Sequence, residues 1–154
     1  MIIQIILFFF IFFLQQVYAN EITGFPKIID GDTVHVNLKK IRLEGIDAPE
    51  IRQMCKKNKK NYACGKIARD NLKEKIGNMK IRCISSGKDR YRRYLGTCFI
   101  KTVNLNKWMV KNGNAVAYRR YSKEYTIDEE FAKNNKLGIW SGTFIQPEKW
   151  RKLN

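Results

Sequence analysis

Five of the chain's 14 acidic residues, Asp30, Asp32, Glu44, Asp47 and Glu50, crowd into two neighbouring stretches, IDGDT (29–33) and RLEGIDAPE (42–50), although the protein carries 30 Lys and Arg. A hard cation such as Ca²⁺ is held by several oxygens gathered from separate segments, and Asp32 near a turn with Asp47 at a strand end can supply them. The pattern is not an EF-hand: the fifth loop position would be Val34, and no glutamate follows at the twelfth. Taken alone, Asp-Gly-Asp is also ordinary turn chemistry, since Asp-Gly is favoured where positive φ is needed.

Arginines flank the acids: Arg42 opens the second stretch, and Arg90, Arg92 and Arg93 lie in the segment GKDRYRRY (87–94). A divalent ion with arginines around it makes a net positive pocket for a phosphate. Phosphodiester hydrolysis needs a Lewis acid on the phosphoryl oxygen, a base for water's proton, and cations for the transition-state charge. Asp32 and Asp47 could hold the metal and Glu50 could activate water. Arg42 and one arginine of the 89–93 segment could supply the cations, since guanidinium forks match phosphate oxygens bidentately. Tyr118 and Tyr121 bracket Arg119 and Arg120, a mixture that suits a stacking platform for single strands or simply ordinary core and surface tyrosines.

The elements that must position these groups are readable in outline. Residues 27–36 have strand character broken at Asp30-Gly31, the signal of a hairpin. Residues 40–46 continue as a strand that ends before Pro49. The polar, basic stretch 51–61 reads as a loop. Ala68, Leu72 and Ile76 recur every fourth residue before Gly77, predicting a helix over 63–76. Residues 79–84 and 95–103 are strand candidates. Leu105, Trp108 and Met109 predict a short helix stopped at Gly113, and a last helix runs over 127–137, with Asp128, Glu129 and Glu130 in its first turn. Strands clustered with helices appended argue for an α+β domain or a small barrel with helices packed on it.

At 154 residues the chain has room for one compact domain. Residues 1–19 form an almost continuous apolar run ending Val-Tyr-Ala, expected to be a cleaved secretory signal peptide, with an uncleaved membrane tether as the alternative; residues 20–154 are the domain. The leader holds no charged residue, so the whole net charge of +16 falls on the domain and points to a polyanionic partner. No long basic amphipathic helix follows the leader, which disfavours a membrane-active role. Cys55, Cys64, Cys83 and Cys98 would lie in an oxidising compartment, predicting two disulfides. Of the three possible pairings, Cys55–Cys64 with Cys83–Cys98 is favoured because each joins segments that local structure brings together. A four-cysteine zinc site is the competing reading, weakened by the lack of a Cys-x-x-Cys knuckle.

IDGDT, then R-L-x-x-x-D-x-P-E as RLEGIDAPE, then D-x-Y-x-R across Asp89, Tyr91 and Arg93, together resemble the staphylococcal nuclease family, in order and spacing, over nearly the whole chain after the leader. The resemblance implies an α+β fold, a five-stranded OB-fold barrel with about three appended helices. It implies a Ca²⁺-dependent endonuclease that hydrolyses DNA and RNA with little sequence specificity and leaves 3′-phosphate ends; with the leader, the expectation is an exported, periplasmic or secreted enzyme acting as a monomer. Asp32 and Asp47 then look like the calcium carboxylates, with the main-chain carbonyl of Ala48, where the type member has threonine, as a further ligand. Arg42, Glu50 and Arg93 look like the catalytic trio. Tyr91 resembles the tyrosine that contacts the bound nucleotide's phosphate, and Tyr118 or Tyr121 the aromatic that stacks near the base; Arg90, beside Tyr91, is a further substrate-binding candidate because its charge attracts a polyanion. The alternative is a non-catalytic OB-fold nucleic-acid-binding protein, as arises where family members lose these acids and arginines; all five side chains are present here.

Overall fold

The computed structural model describes residues 20–154; the expected leader, residues 1–19, lies outside them. Eleven short strands are described: β1 (Asn20–Gly24), β2 (Lys27–Ile28), β3 (Thr33–Val36), β4 (Lys39–Leu43), β5 (Ile46–Asp47), β6 (Cys55–Lys57), β7 (Lys60–Tyr62), β8 (Ile81–Lys88), β9 (Tyr94–Ile100), β10 (Val103–Asn104) and β11 (Val116–Ala117). The helices are α1 (Cys64–Ile76), α2 (Leu105–Lys111), α3 (Thr126–Asn134), a 3₁₀ turn at Gly138–Ser141, and α4 (Pro147–Leu153). Among the described residues no helix is long and apolar enough to cross a membrane.

One sheet runs in the order β1-β8-β9-β4-β3-β2, with β10 also on β9, and its only parallel pair is β4 with β9. It curls as a half-barrel: Asn37, in the turn between β3 and β4, donates its side-chain amide to the Thr23 carbonyl of the edge strand β1 at 3.0 Å. The architecture is the expected α+β, OB-type one. Its strands outnumber the expected five because the chain pairs in short pieces, including the two small ladders β5–β11 and β6–β7.

The core lies in the hollow of this sheet. Val34, Val36, Ile41 and Leu43 alternate inward from β3 and β4, and α1 closes over them with Ala68, Leu72 and Ile76, the residues whose spacing predicts the helix. Leu72 is fully buried, so truncation to alanine should cost about 2–5 kcal/mol. Fully buried Asn106 of α2 satisfies three backbone groups at once: it donates to the carbonyls of Glu44 (2.9 Å) and Gly96 (3.0 Å) and accepts from the Cys98 N–H (3.0 Å). That fastens the β4–β5 turn, and so the approach to Asp47, onto β9. At the far end of α2, Gly113 and Gly138 meet back to back, both at positive φ (69° and 49°), and a Cβ on either would overlap the other's backbone segment.

Both disulfides form as predicted, Cys55–Cys64 and Cys83–Cys98, with no free cysteine left, so the zinc reading falls. Cys83 and Cys98 face each other directly across β8 and β9. Three local expectations need correction. The 51–61 stretch is loop only over 51–54; from Cys55 it is the hairpin β6–β7, turned at Asn58-Lys59 (φ 51° and 64°) without glycine and stapled at its base by Cys55–Cys64. The 40–46 strand breaks at Glu44-Gly45 into β4 and β5. The 127–137 helix ends at Asn134, and a further helix, α4, follows with Pro147 in its first turn.

Candidate active site

The β3–β4 hairpin and the short β5 bring the two acidic stretches together. Asp32 leaves the turn before β3, where its own N–H donates to Asp30 Oδ1 at 2.9 Å. Asp47 ends β5, whose backbone is braced by pairing with Val116 of β11. Between them stands Arg42 of β4: Nη1 meets Asp32 Oδ2 at 2.8 Å and Nη2 meets Asp47 Oδ1 at 3.0 Å. All three side chains are about nine-tenths or more buried. Asp32 also accepts from the Ala48 N–H (2.7 Å) and the Thr33 hydroxyl (3.2 Å), so the Ala48 peptide is drawn against the carboxylate pair.

Glu50 is placed by its backbone. Its N–H donates to the Gln53 side chain at 3.2 Å, its carbonyl accepts from the Gln53 N–H at 2.7 Å, and fully buried Gln53 also donates to the Ile145 carbonyl at 2.6 Å. Helix α1 begins hard against this turn at Gly65, where a Cβ would overlap the Glu50 carbonyl. Only glycine lets the helix start so close.

The side chain that reaches Glu50 is one that sequence reasoning missed. Arg151, on α4, places Nη1 2.8 Å from Asp47 Oδ1 and 2.7 Å from Glu50 Oε1, and Nη2 3.0 Å from Asp47 Oδ2. In the sequence it sits in a seven-residue segment, PEKWRKL, too short for a periodic signal, and its partners are more than a hundred residues upstream. Pro147 at the first helical turn was the one available marker.

The electrostatics follow from burial. Burial pushes the Asp47 carboxyl up, and the Arg151 fork works against it. Asp30 is pushed up to about 7, first by burial and then by the nearby charge of Asp32. Burial opposes the charge of Arg42, yet Asp32 and then Asp47 hold it protonated above its ordinary range. Three carboxylates, Asp32, Asp47 and Glu50, thus pair with two guanidiniums, so the excess is anionic even without Asp30. Among the described residues no three His, Cys, Asp or Glu side chains converge as a ready metal cage. The donor set is all oxygen, with two buried carboxylates within one guanidinium's span and spare negative charge. Such a set fits a hard divalent cation whose coordination is completed by main-chain carbonyl and water.

The 89–93 segment forms a separate turn at the mouth of β9. Asp89 organises it: Oδ1 accepts from the N–H groups of Tyr91 (2.9 Å) and Arg93 (3.0 Å), and Oδ2 accepts from Arg93 Nε at 2.8 Å. Arg92 takes the left-handed corner at φ 63°. Exposed Tyr91 lies under the guanidiniums of Arg90 (4.8 Å) and Arg93 (5.5 Å to the ring centre). Arg93 stands one residue before β9 and two before Leu95, the register partner of Arg42 in the parallel β4–β9 pair, so the turn that carries it enters the sheet on the strand beside Arg42's. No direct contact joins Arg90, Tyr91 or Arg93 to the acids among the described residues. Tyr118 leans toward the acids: its hydroxyl is pushed up first by burial and then by Asp47. Tyr121 packs edge-to-face on it (4.8 Å, 74°) and is itself exposed beneath Arg120.

Against known proteins, the family model described as staphylococcal nuclease homologue matches residues 40–142, starting after Asp32 and stopping short of Arg151. The chain is 36% identical over 134 residues to succinoglycan biosynthesis protein ExoI of Rhizobium meliloti, covering 84% of this chain and 69% of that one. It is 35% identical over 134 residues to an uncharacterized endonuclease of Haemophilus influenzae (82% and 70% covered), and 33% identical over 147 residues to a micrococcal nuclease of Shigella flexneri (83% and 79%). With two thirds of the chain inside the family model and relatives of this closeness along most of their length, the chain belongs to the family of staphylococcal nuclease homologues.

Proposed function

We propose that the protein is an exported, Ca²⁺-dependent endonuclease that cleaves phosphodiester bonds of DNA and RNA with little sequence preference, leaving 3′-phosphate ends. The observation that carries this reading is the bridge of buried Arg42 between Asp32 and Asp47 with Glu50 beside it, a constellation that a folding core does not need. Relatives named micrococcal nuclease and endonuclease support it. The net charge of +16 suits a polyanionic substrate, and the two disulfides suit an oxidising medium.

Asp32, Asp47 and the Ala48 carbonyl would hold Ca²⁺, which when bound supplies Lewis-acid polarisation of a phosphoryl oxygen. Glu50 takes a proton from the attacking water as its oxygen bonds to phosphorus. The bond from phosphorus to the 5′-oxygen breaks, that oxygen takes up a proton from solvent, and the phosphate stays on the 3′ side. Arg42 has its Nε–H and one Nη2 hydrogen without a partner among the described residues, free for a phosphoryl oxygen. Among the described residues Arg93 donates hydrogen bonds from its side chain through Nε alone, which leaves both its Nη groups for the charge that develops at phosphorus. Arg90 and Tyr91 contact the flanking phosphate, and Tyr118 with Tyr121 offers a stacking face for a base.

The test is incubation of the protein with plasmid and with RNA, in Ca²⁺ or excess chelator, with Glu50→Gln alongside. Cleavage of both substrates that requires Ca²⁺ and falls by about 10²-fold or more in Glu50→Gln is expected. Cleavage undiminished in chelator would sink the metal role, and nucleic-acid binding without any cleavage would leave a binding protein.

A further inference from the structure

Helix α4 is held to the domain in an unusual way. Pro147 is buried, Glu148 and Trp150 are half-buried, and Lys149, Arg151, Lys152 and Leu153 are exposed. Neither Pro147 nor Trp150 joins the buried apolar clusters, and the attachments that can be named are polar: Arg151 to Asp47 and Glu50, Glu148 to Arg120 at 3.1 Å, and the preceding Ile145 carbonyl to Gln53. An element with so little apolar contact belongs to the low-stability end of a structure and can leave without disturbing the core. Its strongest tie is the Arg151 fork, and that fork covers both oxygens of Asp47. The residue also lies outside the 40–142 segment that the family model covers, so the family likeness assigns it nothing.

We propose that Arg151 is a resident counter-ion of the site, which competes with the divalent cation for Asp47 and thereby sets cation affinity. This rests on the reading of Asp32 and Asp47 as metal carboxylates. A guanidinium bidentate on Asp47 and a divalent ion on the same carboxylate are like charges within a few ångströms in a partly buried site, so each weakens the other. The coupling is reciprocal by thermodynamic necessity: what Arg151 takes from cation affinity, the cation takes from the docking of α4. Cation arrival also releases Glu50 Oε1 from Arg151, so the carboxylate meant for water becomes free when the site is charged. The basic C-terminal turn then becomes available to the polyanion.

Two measurements on the purified protein test this. Calorimetric titration with calcium chloride should show Arg151→Gln binding about 10-fold more tightly than wild type, within the usual range of coupling between two ligands, with Arg151→Lys in between because it keeps the charge and loses the fork. Hydrogen exchange of wild type should show the amides of residues 148–153 exchanging faster on addition of calcium, which needs no variant and holds if Arg151→Gln fails to fold. Equal or weaker calcium binding by folded Arg151→Gln, or slower or unchanged exchange in α4, overturns the competition while leaving the metal reading intact. No calcium binding by either protein removes the metal reading and the competition with it.

Discussion

Replacing Asp89 by asparagine isolates one tether of the 89–93 turn. Asparagine can keep its oxygen on the Tyr91 and Arg93 N–H groups, as Asp89 Oδ1 does now at 2.9 and 3.0 Å, but it must turn an NH₂ toward Arg93 Nε, which now donates to Oδ2 at 2.8 Å. What is lost is one charge-assisted bond between side chains 28% and 16% exposed, worth about 1 kcal/mol after solvent screening. If that bond only aims the Arg93 guanidinium, the same 1 kcal/mol appears as pre-organisation, or about 5-fold in kcat. Melting should drop by roughly 2–5 °C for a domain of this size. The decisive assay is a double-mutant cycle of single-turnover cleavage with Arg93→Met, where no guanidinium remains to be aimed, so Asp89→Asn should cost less than about 2-fold. An equal loss in both backgrounds would refute the claim that Asp89 acts through Arg93. The pH dependence supplies a second check. Burial works against the Asp89 charge, yet the Arg93 N–H and guanidinium outweigh it and hold the carboxyl below its ordinary value of 3.8. Its stabilising contribution is therefore complete above that value and lost as pH falls through the lower, folded one. Asp89→Asn should flatten the acid limb of a stability–pH curve below pH 3.8 and leave neutral pH dependence unchanged.

Among the three clustered arginines, Arg93→Lys should lower kcat by about 10²-fold or more, whereas Arg90→Lys and Arg92→Lys stay near wild type in single-turnover cleavage at saturating protein. A crippled Arg92→Lys with an active Arg93→Lys would move the register of the site. Arg42→Met should cost about 3–5 kcal/mol in urea unfolding, because it leaves Asp32 buried without a cation and Asp47 with Arg151 alone; a loss under about 1 kcal/mol would mean the acids are better solvated than their contacts indicate. Alkylation of unreduced protein should find no free thiol. Removal of Cys83–Cys98, with 15 residues of separation, should cost about 3 kcal/mol, and removal of Cys55–Cys64, with 9, slightly less; an urea midpoint unchanged by reduction would contradict both.

The parts of the site that could be read in the sequence are those whose chemistry is local. Asp32, Arg42 and Asp47 come together because a hairpin and one further turn suffice to fold 30–50 onto itself, and residue type with spacing carries that much. The cysteine pairs were legible for the same reason: each closes a short loop. The β6–β7 hairpin was hidden because its strands have no apolar alternation and its register sets Lys57 directly opposite Lys60, a like-charge pair that opposes pairing and is held instead by the disulfide at its base. Its turn at Asn58-Lys59 lacks the glycine that would have announced it. Arg151 was hidden because its meaning lies entirely in tertiary contacts 101 and 104 residues away. The acids of α3 were legible only in part: Asp128 and Glu129 do stand in its first turn, but Glu129 is also buried, accepts from the Ala117 N–H at 3.0 Å and pairs with Arg119 and Lys133, so it braces β11 behind Asp47 as well.

The back-to-back glycines at 113 and 138 bear on how such a chain can diverge. Each excludes any side chain on its partner, and each also holds a left-handed conformation, so a change at one is not rescued by a change at the other. In mutational terms the pair is a closed door: no path of single viable steps leads from glycine to anything else at either position while the backbone keeps its course. Directed evolution for altered substrate preference should therefore find its freedom in the exposed tyrosines and the basic turns, and a library randomised at 113 and 138 should return glycine at both, whatever activity is selected.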